Sequence, residues 1–401
     1  MVGRVRQIIG LFVNSAQAET EVIMSQEYKA DEKTYPTENM GKLSLRDMLA
    51  YFEEHGAMRV SDLHIKVGTQ PSYRIDGNLV RLKGLKVTPE MADRLIYPLL
   101  SEENMNKLKA EYSVDCSYRI GQLQFRINVF YENDGICAAI RALSLDIPAI
   151  ETIGFPNDVW QDIINRKQGL VLITGITGAG KSTTVASLID RISDKSASRI
   201  ITIEDPIEYI YQQKYCMVSQ REVGRDVKSF VHGLRAMLRE DPDIIFVGEM
   251  RDPETISMTL MAAETGHLVF STLHTRDATG SIMRVLDYFP SGRQNEVRNQ
   301  LSLGLRYVIS QKLIPKKDGK GRLVAMEILN NNYACANLIR TGKIEQMYSQ
   351  LQTKTKDRPD ERMMTMERHL AMLVKEDKID LLEAKKWANN VLAFVDEMKH
   401  R

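Results

Sequence analysis

Cysteine is scarce in this chain: there are four among 401 residues, at positions 116, 137, 216 and 335, with no CxxC pair. Such spacing offers neither a disulfide framework nor a zinc-ligand pattern, and it suits a reducing compartment. A surplus of either charge is missing too, because 54 Lys and Arg face 53 Asp and Glu. Proteins that mainly grip phosphate backbones carry a basic excess, so no nucleic-acid partner is expected. No apolar run approaches the ~20 residues that cross a bilayer. What is present is a 43% hydrophobic share with 27% charged residues, enough to bury a core. A length of 401 residues fits two domains and a helical appendage. A cytoplasmic α/β protein is expected.

The first 18 residues combine a basic start (Arg4, Arg6), an apolar patch from Ile8 to Val13 and a small-residue ending at Ala16 and Ala18. That patch falls short of the ~7–15 residues of a secretory core, so no working signal is expected. Met24 is an equally good start, which would leave residues 1–23 untranslated. Residues 25–42 are polar, and 1–42 reads as a flexible arm. From 43 to 145 the pattern is α+β. A helix opens with Leu45, Met48, Leu49 and Phe52 at helical spacing, and a second is expected near 89–110. Alternating strands lie at 62–67, 72–75, 79–82, 116–119, 123–131 and 136–143, with Asp76-Gly77-Asn78 as a hairpin turn. Pro148, Gly154 and Pro156 punctuate a linker over 146–157. Apolar strand runs then alternate with helices over 158–330, the signature of βαβ units and a parallel sheet. Residues 331–401 read as a helical C-terminal module.

Gly175-Ile176-Thr177-Gly178-Ala179-Gly180-Lys181-Ser182 fits G-x-x-x-x-G-K-[ST]. A buried-strand run, Leu170–Thr174, precedes it, and Val185, Leu188 and Ile189 mark a helix face after it. Glycines let the backbone close round an anion, while N–H groups and the helix N-terminus point at phosphates. Lys181 balances β/γ-phosphate charge, the Ser182 hydroxyl takes a place on Mg²⁺, and Thr183 adds a hydroxyl near the α-phosphate. The expected cofactors are ATP and Mg²⁺.

Two further strands run into carboxylates: 199–203 into Glu204 and Asp205, and 243–247 into Gly248-Glu249. Carboxyl strand ends of an open α/β sheet gather at the ligand crevice, where such groups hold metal or orient water. Metal holding would be shared by Ser182, water and Asp205. After Glu249 a helix is punctuated by Asp252 as cap, Pro253 at N1, Ile256, Leu260 and Met261 inward, and Gly266 as terminator. It delivers the strand from His267 to His274. A histidine near phosphate can donate to a γ-phosphate oxygen, which makes His274 the stronger candidate and His267 the weaker.

These residues resemble the type IV pilus retraction ATPases (PilT/PilU type) of the secretion ATPase superfamily. The resemblance covers about 43–345. It rests on Ser61-Asp62-Leu63-His64, Arg74-Ile75-Asp76-Gly77, the phosphate loop and the acidic box Ile203-Glu204-Asp205-Pro206-Ile207-Glu208-Tyr209. It continues through Gln220–Gly224, Leu238–Asp243, Val247–Asp252 and the segment Glu264–His274. It implies a homohexamer of subunits with an N-terminal PAS-like domain and a RecA-like ATPase domain, nucleotide binding between them. In such motors Glu249 activates water, Glu204 assists in the metal and water shell, and His274 senses the γ-phosphate. Arg126 and Arg141 would reach the nucleotide from the N-terminal domain; Gln124 stands where relatives carry another arginine. Arg235 and Arg239 are candidates for nucleotide or interface contacts. The implied partners are the inner-membrane pilus platform protein and a paralogous retraction ATPase, with the ring peripheral at the inner membrane.

The missing paired cysteines speak against the pilus-extension and type II secretion relatives, which carry a four-cysteine zinc motif. Ala334–Thr341 keeps half of the retraction family's C-terminal motif, without its first arginine and final glutamate, so a principal motor and an accessory, PilU-like one both stand, and the extension beyond 345 leans towards the accessory. The alternative from another class is a RecA-like nucleic-acid motor, for which the neutral charge is wrong.

Overall fold

The computed structural model describes residues 28–39, 41–55, 60–75, 78–121, 123–143, 147–319, 321–357 and 361–399. The signal-like stretch, the Met24 start and the Asp76-Gly77 pair lie outside the described residues. The chain divides into two units, Met1–Leu145 and Asp146–Arg401.

In the first unit the order is β1 (Tyr35–Pro36), β2 (Lys42–Leu43), α1 (Leu45–His55), β3 (Val60–Ile65), β4 (Ser72–Ile75) and β5 (Asn78–Arg81). Then come α2 (Pro89–Ile96), α3 (Glu102–Glu111), β6 (Ser113–Ile120), β7 (Leu123–Glu132) and β8 (Gly135–Leu143). Six strands make an antiparallel sheet ordered β5-β4-β3-β8-β7-β6. Along β7, Phe125, Ile127 and Val129 are buried while Arg126 between them is exposed, the period-2 pattern of a half-buried strand. Helix α1 buries Leu45, Met48, Leu49 and Phe52, and the Phe52 ring meets Phe125 edge-on at 5.3 Å.

Two expectations fail here. The flexible arm does not extend to residue 42: Tyr35 is fully buried, its hydroxyl donates to Leu85 O at 2.8 Å, and β1 pairs with β2. One aromatic anchor outweighs the polar composition around it. The helix near 89–110 is two helices, because Pro98 ends the first in a 3-10 turn and Ser101 caps the second by accepting from Asn104 N.

The second unit opens with α4 (Val159–Ile164), β9 (Gly169–Thr174), α5 (Lys181–Ser193), β10 (Arg199–Glu204), β11 (Met217–Glu222), α6 (Phe230–Met237) and β12 (Ile244–Val247). It continues with α7 (Pro253–Glu264), β13 (Leu268–Leu273), α8 (Ala278–Asp287), α9 (Ser291–Gly304), β14 (Leu305–Pro315) and β15 (Arg322–Asn330). It closes with α10 (Tyr333–Arg340), α11 (Met347–Asp357), α12 (Met366–Lys375), α13 (Leu381–Trp387) and α14 (Val391–Lys399). Seven strands form one sheet ordered β11-β10-β12-β13-β9-β14-β15, parallel except for β15, which runs against β14. Both faces are covered: Leu170 and Leu172 of β9 join one core, Val171 and Ile173 the other. That accounts for the continuous apolar runs of its central strands.

Residues 147–157 are no free linker: Ile150 and Ile153 are buried, and Ser187 Oγ donates to Pro148 O at 2.7 Å. Nor do the last helices stand apart, since Met366, Leu370 and Phe394 pack on Ile314 and Ala325 of the β14–β15 pair. In α7, Ile256 and Leu260 are buried but Met261 is half exposed, because Thr259 and Ala263 complete the inward stripe. No helix among the described residues is long and apolar enough to cross a membrane.

Candidate nucleotide-binding site

The carboxyl ends of β9, β10, β12 and β13 bring together the residues singled out by motif. From β9 the chain enters the loop Gly175–Gly180 and then α5, whose N-terminus carries Lys181, Ser182 and Thr183. Gly175 has φ +150°, and a Cβ there would stand 2.6 Å from Gln311 O, so only glycine fits. Gly178 and Gly180 also adopt positive φ, +78° and +84°. The Gln311 side chain braces the loop by donating to Ala179 O at 2.7 Å. Lys181 Nζ donates to Gly175 O (3.0 Å) and Ile176 O (3.3 Å), which places the ammonium inside the curve of the loop. Burial pulls Lys181 below its ordinary pKa, while Glu208 and Glu249 oppose that shift.

Glu249, at the end of β12, is buried, with Arg251 Nη2 at 2.6 Å from one carboxylate oxygen and His274 Nε2 at 3.5 Å from the other. His274 Nδ1 lies 3.5 Å from both Lys181 Nζ and Thr177 Oγ1. An ammonium only donates, so Nδ1 is the acceptor and the Nε2 proton points at Glu249. Burial and the Lys181 charge hold His274 below the usual histidine range, against the pull of Glu249. The imidazole is therefore neutral at pH 7.

Glu204 ends β10 almost wholly buried, and its Oε1 accepts from Thr202 Oγ1 at 2.7 Å and from Gln220 Nε2 at 3.3 Å. Burial raises its carboxyl to about 7, the hydrogen bonds from Thr202 and Gln220 pulling the other way. Asp205 follows it, exposed. Thr183 Oγ1 pairs with Tyr209 Oη at 2.8 Å, which draws the acidic segment across the start of α5.

His267 does not join this group. It precedes β13, at the opposite end of the sheet, where its carbonyl accepts from Gly169 N and its Nδ1 meets Ala262 O at 2.9 Å. Six strand residues, about 20 Å, separate the two histidines of one strand. A cavity of about 410 Å³ opens at that same far end, lined in part by Arg166 and Arg306, away from the phosphate loop. Arg235 is exposed and paired with Glu254, and Arg239 is exposed. In the first unit, Arg126 and Arg141 sit directly opposite each other on β7 and β8. Arg141 Nε bonds Asp62 Oδ1 at 2.8 Å, and Arg126 is exposed. Glu208, Tyr209, Gln220, Arg251 and Gln311 were not singled out as site residues from sequence. The first four lie inside motifs, whereas Gln311 has no motif signal.

A strand–glycine loop–helix unit with lysine inside the loop and carboxylates on adjacent strand ends defines a P-loop nucleotide-binding domain. The family model for type II/IV secretion system proteins matches residues 43–372, and the chain belongs to that family. It is 43% identical over 312 residues to the type IV pilus retraction ATPase PilT of Pseudomonas aeruginosa, covering 78% of this chain and 89% of that protein. It is 34% identical over 327 residues to the type IV pilus ATPase PilU of the same organism, covering 81% and 84%. A crystal structure of the pilus retraction motor PilT with bound ADP superposes with a TM-score of 0.78 at 43% identity, over 87% of this chain and 99% of that one.

Proposed function

We propose that this protein is a Mg²⁺-dependent ATPase that powers type IV pilus retraction. The observation that carries the reading is the convergence of Lys181, Glu249 and His274 at one loop, in a chain 43% identical to a pilus retraction ATPase over 78% of its length. In the reading, the N–H groups from Gly178 to Thr183 and Lys181 Nζ cradle the phosphates. Glu249 aligns the attacking water and takes its proton on the oxygen that faces His274 Nε2, and neutral His274 follows the γ-phosphate. Glu204 and Asp205 orient water beside them. The Ser182 hydroxyl and the phosphates would hold Mg²⁺, which neutralises phosphate charge; this ion ordinarily takes few protein ligands, so a sparse donor set fits it.

Arg126 and Arg141 complete the site from the N-terminal unit in this proposal. The subunits form a homohexamer docked on the pilus platform protein at the inner membrane, acting with or without a PilU-type paralogue. The higher identity to PilT than to PilU, 43% against 34%, favours the principal motor.

Two variants test the chemistry on purified protein. Lys181→Ala removes the cation of the cradle and should weaken ATP binding. Glu249→Gln should keep binding while lowering kcat on the order of 10²-fold or more. Wild-type turnover by Glu249→Gln would transfer the water-activating role to Glu204.

A further inference from the structure

Two adjacent side chains of β14 face opposite ways, as neighbours on a strand do. Gln311, 1% exposed, reaches the phosphate loop: its side-chain Nε2 donates to Ala179 O at 2.7 Å, and its backbone carbonyl oxygen packs against Gly175. Both ends of the loop are seated on this one residue. Lys312 reaches the other face, where Nζ donates to Trp387 O at 2.7 Å and to Asn389 Oδ1 at 2.5 Å, between α13 and α14.

The seam around Lys312 is polar, with the lysine half-buried and Asn389 exposed at its edge. Glu327 of β15 lies opposite Ser310 of β14 and accepts from Ala278 N at 2.8 Å, while Ser310 Oγ pairs with Thr174 Oγ1 at 2.7 Å, the residue before the loop. Glu367 of α12 is fully buried and accepts from Asn390 N at 2.8 Å, which fixes the start of α14. Helices α13 and α14 lie past residue 372, where the match to the family model ends. Packing alone would be served as well by an aliphatic residue in place of Lys312, since a buried charge is weak evidence for stability. What the lysine adds is a fixed registration of α13 and α14 on the strand that seats the loop.

We propose that β14 couples the C-terminal helices to the nucleotide site: α13 and α14, held on Lys312, set how Gln311 seats the phosphate loop and so tune affinity for a nucleoside di- or triphosphate. Coupling of this kind is reciprocal, so bound nucleotide tightens the docking of α13 and α14. The proposal rests on the loop being the nucleotide site. Lys181→Ala keeping wild-type ADP affinity would sink that premise by a separate route.

The test uses the full chain with ADP as the probe. Asn389 is exposed, so Asn389→Leu takes one acceptor from Lys312 without disturbing a core. Expected is a loss of ADP affinity on the order of fivefold, with the thermal unfolding midpoint followed by circular dichroism unchanged. Asn389→Asp, which keeps an acceptor, should bind like wild type. In a Gln311→Leu background Asn389→Leu should weaken binding no further, the non-additivity of residues on one path. Wild-type ADP affinity in Asn389→Leu, or effects that add fully in the double variant, would overturn the coupling.

Discussion

Glu327 is a carboxyl group placed where its charge is disfavoured. It is 2% exposed, Asp277 and Glu367 face it with like charge, and Lys312 and the Ala278 N–H only partly compensate. Burial raises it from 4.5 to about 8. The unfolded chain loses this proton first, so between about pH 4.5 and 8 the folded state holds more protons than the unfolded one. Stability from this group is complete below pH 4.5 and is lost as pH rises to about 8. Glu327→Gln keeps an acceptor for Ala278 N and removes the titration. Its urea midpoint should therefore fall less from pH 5 to pH 8 than the wild-type midpoint does. Both tryptophans, Trp160 and Trp387, lie in the second unit, so their fluorescence follows that unit alone. Equal falls in the two proteins would mean that the carboxyl is not held neutral. At this scale, sequence showed the residues whose chemistry needs a fixed type: Lys181 inside its loop, Glu249 and His274 at strand ends. Gln311 stayed hidden because its work is done across the sheet from Ala179, 132 positions earlier, and no local pattern encodes such a pair. His267 misled for the converse reason, since a strand has two ends and only one carries the site.

Among the elements, helix α7 illustrates how local chemistry sets a boundary. Asp252 accepts from Thr255 N at 2.8 Å and from Thr255 Oγ1 at 2.6 Å, and Pro253 occupies N1, where no N–H is needed. The cap also fixes the short turn from Glu249 into the helix. Asp252→Ala should destabilise the second unit by about 1 kcal/mol, with Asp252→Asn recovering most of it, read from tryptophan fluorescence in urea. No difference between the alanine and asparagine variants would remove the cap from the account. Capped and strongly periodic elements such as α1, α5 and α7 were legible in sequence. Elements fixed by distant partners were not: β11 is polar and exists as the edge partner of β10, and β15 reverses direction because a tight connection leads it back along β14. Tyr35 likewise finds its partner fifty residues on, at Leu85.

At the level of the whole molecule, the phosphate loop belongs to the second unit and the Arg126–Arg141 pair to the first. The family was legible because several long motifs occur in a fixed order, and the match over residues 43–372 spans both units. The four separated cysteines and the half-kept segment Ala334–Thr341 bear on the direction of work. Retraction and extension make opposite demands on a cell lacking this gene. Without a retraction motor, pilin keeps polymerising and is not withdrawn, so surface pili should be normal or in excess while twitching falls. Without an extension motor, cells should be bald. Pilus counts by electron microscopy on a clean deletion strain, complemented with wild type and with Lys181→Ala, separate the two. Bald cells would overturn the retraction assignment. Full piliation with twitching lost, restored by wild type and not by Lys181→Ala, would tie retraction to nucleotide binding at this loop. Normal twitching that disappears only when a paralogous ATPase is also deleted would make this protein the accessory motor.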